Sequence, residues 1–239
     1  QNPAYISKPD QKLFDEMQEK CGELIKLAAI APETEGAMEF IRENKKRTVL
    51  SLAHTTADYD TAMKAFGEGA SHVTHLYNAM PPYSHRAPGV VGAAADSGAE
   101  AELICDGVHI HPAAVRTTFK MLGEDKIIFI SDSMMATGLE DGDYSLGGQA
   151  VKVTGTLATL KDGTIAGSAT NLMDCMRRAV LDMKIPLEKA VKCAAVNPAK
   201  SVGIYDQYGS ITAGKIANLV LLRKSDLSLY KVVLKGQVL

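Results

Sequence analysis

At 239 residues the chain is long enough to bury one large core or two small ones, and 46% of it is hydrophobic, as in a soluble globular protein. A net charge of −2 gives no basic excess for a phosphate backbone, so nucleic acid is not an expected partner. No apolar run approaches the ~18 residues of a membrane span, and the opening Gln1-Asn2-Pro3-Ala4-Tyr5 does not read as a signal peptide. Cys21, Cys105, Cys175 and Cys193 form no C-x-x-C pair, which disfavours a structural zinc cluster or a disulfide framework and suggests a reducing, cytoplasmic setting.

Taken in order, residues 10–21 read as a helix after Pro9, with Leu13, Phe14, Met17 and Cys21 inward. The apolar run 24–31, halted by Pro32, reads as a buried strand, and Thr34 as the cap of a helix through Asn44. Residues 47–53 form the next strand, ending at His54; 58–66 form a helix; 71–74 form a short strand ending at His75. Pro81 to Gly89 is a loop carrying Arg86, a solvated charge or an anion clamp. The alternation resumes with a strand at 101–105, a helix at 112–122 and a strand at 126–130 that ends in Ser131-Asp132. Five mostly apolar strands separated by helices predict parallel pairing, in a β/α barrel or a doubly wound sheet.

The texture changes after Gly138. Residues 142–167 are short alternating segments with a hairpin signal at Lys161-Asp162-Gly163-Thr164. Helices at 171–183 and 187–196 follow, then strands at 219–222 and 231–234. The expected division is barrel units over 1–138, a β-rich insertion over 139–167, barrel-flanking helices over 168–203, and segments of a small β-sandwich domain over 204–239.

All 6 histidines fall between His54 and His111, a bunching that suggests a site. In β/α folds chemistry collects at the C-terminal ends of the strands, and His54, His75, His109 and Asp132 all stand at or just past such ends. Neighbouring tips would bring the imidazoles of His54 and His75 within reach of one metal ion, with Asp132 on a later strand as proton carrier. His72 is expected to be a packed histidine, and His85 and His111 loop or solvent groups.

His75-Leu76-Tyr77-Asn78-Ala79-Met80-Pro81, Arg86-Ala87-Pro88-Gly89, Asp106-Gly107-Val108-His109, Ser131-Asp132-Ser133, Ile165-Ala166-Gly167-Ser168, Asn197-Pro198-Ala199 and Gly214 to Val220 occur in that order. The set closely resembles the N-acetylglucosamine-6-phosphate deacetylase family of the amidohydrolase superfamily, across essentially the whole chain. The final block is the less specific, and Asn218 stands where the superfamily usually has Asp.

The resemblance implies a partial TIM-type barrel of about five of eight strands, and metal ligation (Zn or Fe) by His54 and His75. It implies that Asp132 takes a proton from the attacking water and later delivers it to the leaving amine. Asn78 and Ala79 would hold the sugar phosphate; Gln1, Arg86, Asp106, Gly107, Val108, His109, Ile165, Ala166 and Gly167 would contact substrate. The expected substrate is N-acetylglucosamine 6-phosphate, cleaved to glucosamine 6-phosphate and acetate by a homodimer in which Arg86 or His109 serves the neighbouring site. N-acetylgalactosamine 6-phosphate or a cyclic amide is the alternative substrate, and an inactive sugar-phosphate-binding protein the alternative to an enzyme. The family's His-x-Glu-Gly-Pro segment, whose Glu completes the metal site, does not occur in the 239 residues. The chain is therefore expected to be a C-terminal portion with little activity of its own.

Overall fold

The computed structural model describes residues 6–239, which divide into two compact units, 6–102 with Ser201–Gly203, and Leu103–Lys200 with Ile204–Leu239. Among the described residues no helix is long and apolar enough to cross a membrane.

In the first unit α1 spans Gln11–Lys20, β1 Leu27–Ile30, α2 Ala37–Asn44, β2 Val49–Leu52, α3 Tyr59–Glu68, β3 His72–Val73 and α4 Gly89–Ser97. Asp10 caps α1 by accepting from the Leu13 N–H, but the buried face is not the one expected. Phe14 and Gln18 are buried, while Leu13 and Met17 are about half exposed. The reason is Gln18, whose amide donates to the Ile25 carbonyl at 3.0 Å and accepts from the Ile25 N–H at 3.2 Å. A buried amide satisfied on both sides reads the chain entering β1 and sets the helix's rotation. Thr34 is not the cap of α2 either; that position is Gly36, left-handed at φ 83 and without a side-chain bond.

Helix α4 has no counterpart among the expected elements. Its sequence, GVVGAAADS, carries no polar face to set a period, because Val90, Val91, Ala93 and Ala94 are all buried. Gly92 is required: a Cβ there would stand 2.5 Å from the Pro88 side chain.

Strand β4, Glu100–Ile104, runs across the division and leads to α5 (Pro112–Leu122) and β5 (Ile127–Ile130). The sheet order is β1-β2-β3-β4-β5, and the pairs β1/β2, β2/β3 and β3/β4 are parallel. Sequential order without reversal is barrel-like; a doubly wound sheet would show a switch point.

In the second unit β6 (Gly142–Leu146), β7 (Gln149–Thr154) and β8 (Leu157–Leu160) form an antiparallel sheet over Met134, Ala136, Val151, Val153, Ala158 and Ala166. The turn at 161–164 closes through Leu160 and Thr164, and Thr159 pairs with Ile165. Helix α6 (Leu172–Leu181) follows, then α7 (Leu187–Val191), a π-helical turn (Lys192–Val196) and α8 (Asn197–Ser201). A second antiparallel sheet holds β9 (Leu219–Leu222), β10 (Leu229–Leu234) and β11 (Gln237–Val238).

Asn197 ties the α7–α8 segment to the sheet. Its buried amide donates to the carbonyls of Glu124 and Ile127, both at 2.7 Å. Truncation strands two acceptors, so Asn197→Ala is expected to lower unfolding free energy by about 2–4 kcal/mol in urea titrations.

Candidate metal centre

In the first unit β2 ends at Leu52 and the chain turns two residues later at His54; β3 ends at Val73 and the chain turns two residues later at His75. The two strands are paired in register, Ser51 with His72 and Leu52 with Val73, so their tips lie side by side. His54 Nε2 and His75 Nε2 are 3.0 Å apart, with the rings edge-on at 85°. His75 is buried and its Nδ1 has no hydrogen-bond partner among the described residues, whereas His54 is exposed.

Two imidazole nitrogens at that spacing share either a proton or a cation. Nitrogens bound tetrahedrally to one zinc at about 2.0–2.1 Å each would stand about 3.3 Å apart, so the pair fits a shared ion with a few tenths of an ångström of adjustment. Among the described residues no group of three or more His, Cys, Asp or Glu side chains converges on such an ion.

The backbone carries strain at these tips. His54 (φ 47), His75 (φ 34), Tyr77 (φ 79) and Ala79 (φ 50) are left-handed without being glycine. Such conformations cost of order 1–3 kcal/mol each and cluster where geometry serves function. The 75–79 turn is held from within: the Asn78 side chain donates to the carbonyls of His75 and Leu76, and its N–H to His75 again. The Ala79 carbonyl accepts from the Thr55 N–H, linking this turn to the one at His54. Arg86 is exposed in the loop that follows.

His72 is packed, as expected. It is 1% exposed, with Nε2 3.1 Å from Glu102 and Nδ1 3.4 Å from Glu100. Desolvation by burial opposes its protonation, yet the bonds to Glu100 and Glu102 together raise its pKa above 6.5. Folded protein therefore holds this proton to higher pH than the unfolded chain does. The stabilisation is full below about pH 6.5 and is lost as pH rises through the folded-state value. Unfolding free energy is expected to fall over that window, and the slope to flatten in His72→Gln, in urea titrations across pH.

In the second unit Asp132 follows β5 at φ 50 and is exposed. Its carbonyl accepts from the Ser168 N–H at 2.8 Å, Met134 N–H donates to the Ser168 carbonyl at 2.8 Å, and Ser133 bridges Ser168 in parallel. Ser168, at the end of the 165–168 segment, is thus held beside Asp132. Gly167, at φ 68, lies against the Asp132 carbonyl, where a Cβ would be 3.4 Å away; Ala166 is buried and Ile165 partly exposed.

Asp106 is fully buried, and its carboxylate is used inside its own loop. It accepts from the Val108 and His109 N–H groups, each at 2.9 Å, and meets His109 Nδ1 at 2.7 Å. Desolvation raises its pKa, but these bonds outweigh it and hold the carboxyl below the usual range. Its evident work is to orient His109. Gly107, at φ 79, makes room for Arg178, whose guanidinium lies 3.0 Å from where a Cβ would be. His85 is exposed, and His111 caps α5 by accepting from the Ala113 N–H. Gln1 lies outside the described residues.

Two carboxylates at these tips were not singled out by the sequence. Glu33 lies just beyond β1, where the strand-tip rule could have found it behind Pro32. Glu102 lies inside β4, where two glutamates two residues apart on one face of an apolar strand were the available signal.

A parallel β/α sheet that brings two imidazoles together at adjoining strand tips defines a barrel-type fold with two candidate metal ligands side by side. The chain belongs to the amidohydrolase family, whose model matches residues 23–239. N-acetylglucosamine-6-phosphate deacetylase of Bacillus subtilis is 41% identical over 240 residues, covering 100% of this chain and 60% of that relative. N-acetylgalactosamine-6-phosphate deacetylase of Escherichia coli O157:H7 is 35% identical, covering 90% of this chain and 57% of the relative. A mutant N-acetyl-D-glucosamine-6-phosphate deacetylase from Mycobacterium smegmatis, solved with N-acetyl-D-glucosamine-6-phosphate, superposes with a TM-score of 0.93 at 33% identity, covering 99% of this chain and 63% of the other. The chain thus spans about three-fifths of the length of the curated relatives it matches.

Proposed function

We propose that the protein serves the hydrolysis of the N-acetyl group of N-acetylglucosamine 6-phosphate, giving glucosamine 6-phosphate and acetate. The observation that carries this reading is the 3.0 Å approach of His54 and His75 Nε2 at neighbouring strand tips. The names of the relatives support the substrate.

His54 and His75 would hold a divalent ion, Zn or Fe. Such an ion, when bound, lowers the pKa of a water and polarises the amide carbonyl. The chain's own groups do the rest. Asp132 accepts a proton from the attacking water and returns it to the amine as the C–N bond breaks, leaving acetate and a free amine. The 75–79 turn receives the sugar phosphate. Arg86, exposed in the following loop, supplies charge for it. His109, held by Asp106, and the 165–167 segment contact the sugar.

N-acetylgalactosamine 6-phosphate is the second substrate reading, favoured by the Escherichia coli relative. A homodimer follows from the same resemblance, and the four free cysteines suit a reducing, cytoplasmic setting.

The test is acetate release from both epimers, by the 239-residue chain and by a fusion joining it to the portion of the Bacillus subtilis relative that it does not span. Release by the fusion and little by the chain alone is expected. A folded, metal-loaded fusion that releases no acetate from either epimer would refute the reading.

A further inference from the structure

Each imidazole-bearing turn rests on a carboxylate that is not part of the imidazole pair. Glu33 Oε2 accepts from Thr55 Oγ1 at 2.5 Å, and its Oε1 accepts from the Thr56 N–H at 2.6 Å and Thr56 Oγ1 at 3.1 Å. These donors belong to the two residues directly after His54. Thr55 Oγ1 in turn accepts from the Ala57 N–H at 2.9 Å, so this one carboxylate orders the residues that follow His54.

Glu102 does the corresponding work for His75. Its Oε2 accepts from the His75 N–H at 3.3 Å, and its backbone carbonyl accepts from the Leu76 N–H at 2.8 Å. Its other carboxylate oxygen meets the buried His72 ring at 3.1 Å, so the brace is itself anchored. His72 Nδ1 lies 3.4 Å from both Glu100 and Ser201 Oγ.

We propose that Glu33 and Glu102 are positioning residues, one for each imidazole. They hold His54 and His75 in left-handed backbone, so that the two Nε2 atoms face one point and can share a divalent cation. The inference rests on the metal reading above. The physical reason is that a non-glycine residue leaves this conformation unless its surroundings fix it, and a carboxylate bonded to backbone N–H groups fixes it firmly. Sequence supplies the braces at two different depths: one on the loop after β1, the other within β4.

The test is a cobalt(II) titration of the 239-residue chain, read by visible absorption and by zinc competition, with apo-protein unfolding measured in parallel. Glu33→Ala and Glu102→Ala are expected to weaken cobalt binding by about 10–100-fold and to change the absorption band. Glu33→Gln and Glu102→Gln, which keep one acceptor, recover part of the loss and carry the test if the alanine variants do not fold. Phe14→Leu, in α1, serves as a stability control: it lowers the unfolding midpoint and leaves cobalt binding unchanged. Unaltered cobalt affinity in the variants, or an equal loss in Phe14→Leu, would overturn the proposal alone. Absence of cobalt binding by the unmutated chain would overturn it together with the metal reading.

Discussion

Replacing His75 by alanine is expected to lower zinc or cobalt affinity at least a hundredfold, and replacing His54 to do the same. With the two Nε2 atoms 3.0 Å apart, each ring is half of whatever the pair can hold, and one imidazole alone is an ordinary surface ligand. The two losses differ in their effect on stability. His75 is buried beside Leu76 and Val73, so its removal also leaves a void. His54 is exposed and strained at φ 47. His54→Gly relieves that strain and is expected to hold or raise stability by about 1 kcal/mol while abolishing binding. Isothermal titration with zinc beside urea unfolding separates the two effects. Equal metal binding in His54→Gly and the unmutated chain would contradict the reading.

Asp132→Asn is the second large effect, and it falls on turnover rather than on metal. An amide in place of the carboxylate cannot take the proton from water or return it to the amine, a contribution worth about 10²–10⁴-fold. In the fusion with the Bacillus subtilis portion, kcat for acetate release is expected to drop by that range. Zinc stoichiometry and the unfolding midpoint stay near those of the parent. Loss of zinc together with activity would make Asp132 a ligand; unchanged kcat would remove it from the chemistry.

Much of the strand framework was legible because buried parallel strands are short apolar runs with abrupt ends. Leu50, Leu52, Ile104 and Ile127 mark them plainly, and the histidines and Asp132 follow those ends. Helix α4 was not legible, because a short helix built almost wholly of valine, alanine and glycine, with polar residues only at its end, has no amphipathic stripe to reveal it. The face of α1 was misjudged for a related reason: Gln18 is buried by virtue of its bonds to Ile25, and hydrophobicity alone favours Leu13 and Met17 in its place. At the site, the meeting of His54 and His75 was foreseeable from strand-tip logic. Glu33 and Glu102 could have been picked out by position, but not their work, which lies in the backbone N–H groups they accept from.

The most direct measurement is a crystal structure of zinc-soaked protein with anomalous data collected at the zinc edge. A peak within about 2.0–2.1 Å of both His54 Nε2 and His75 Nε2 is the expected result. Zinc sites elsewhere with none between these nitrogens, or the two rings turned away from a common point, would contradict the account.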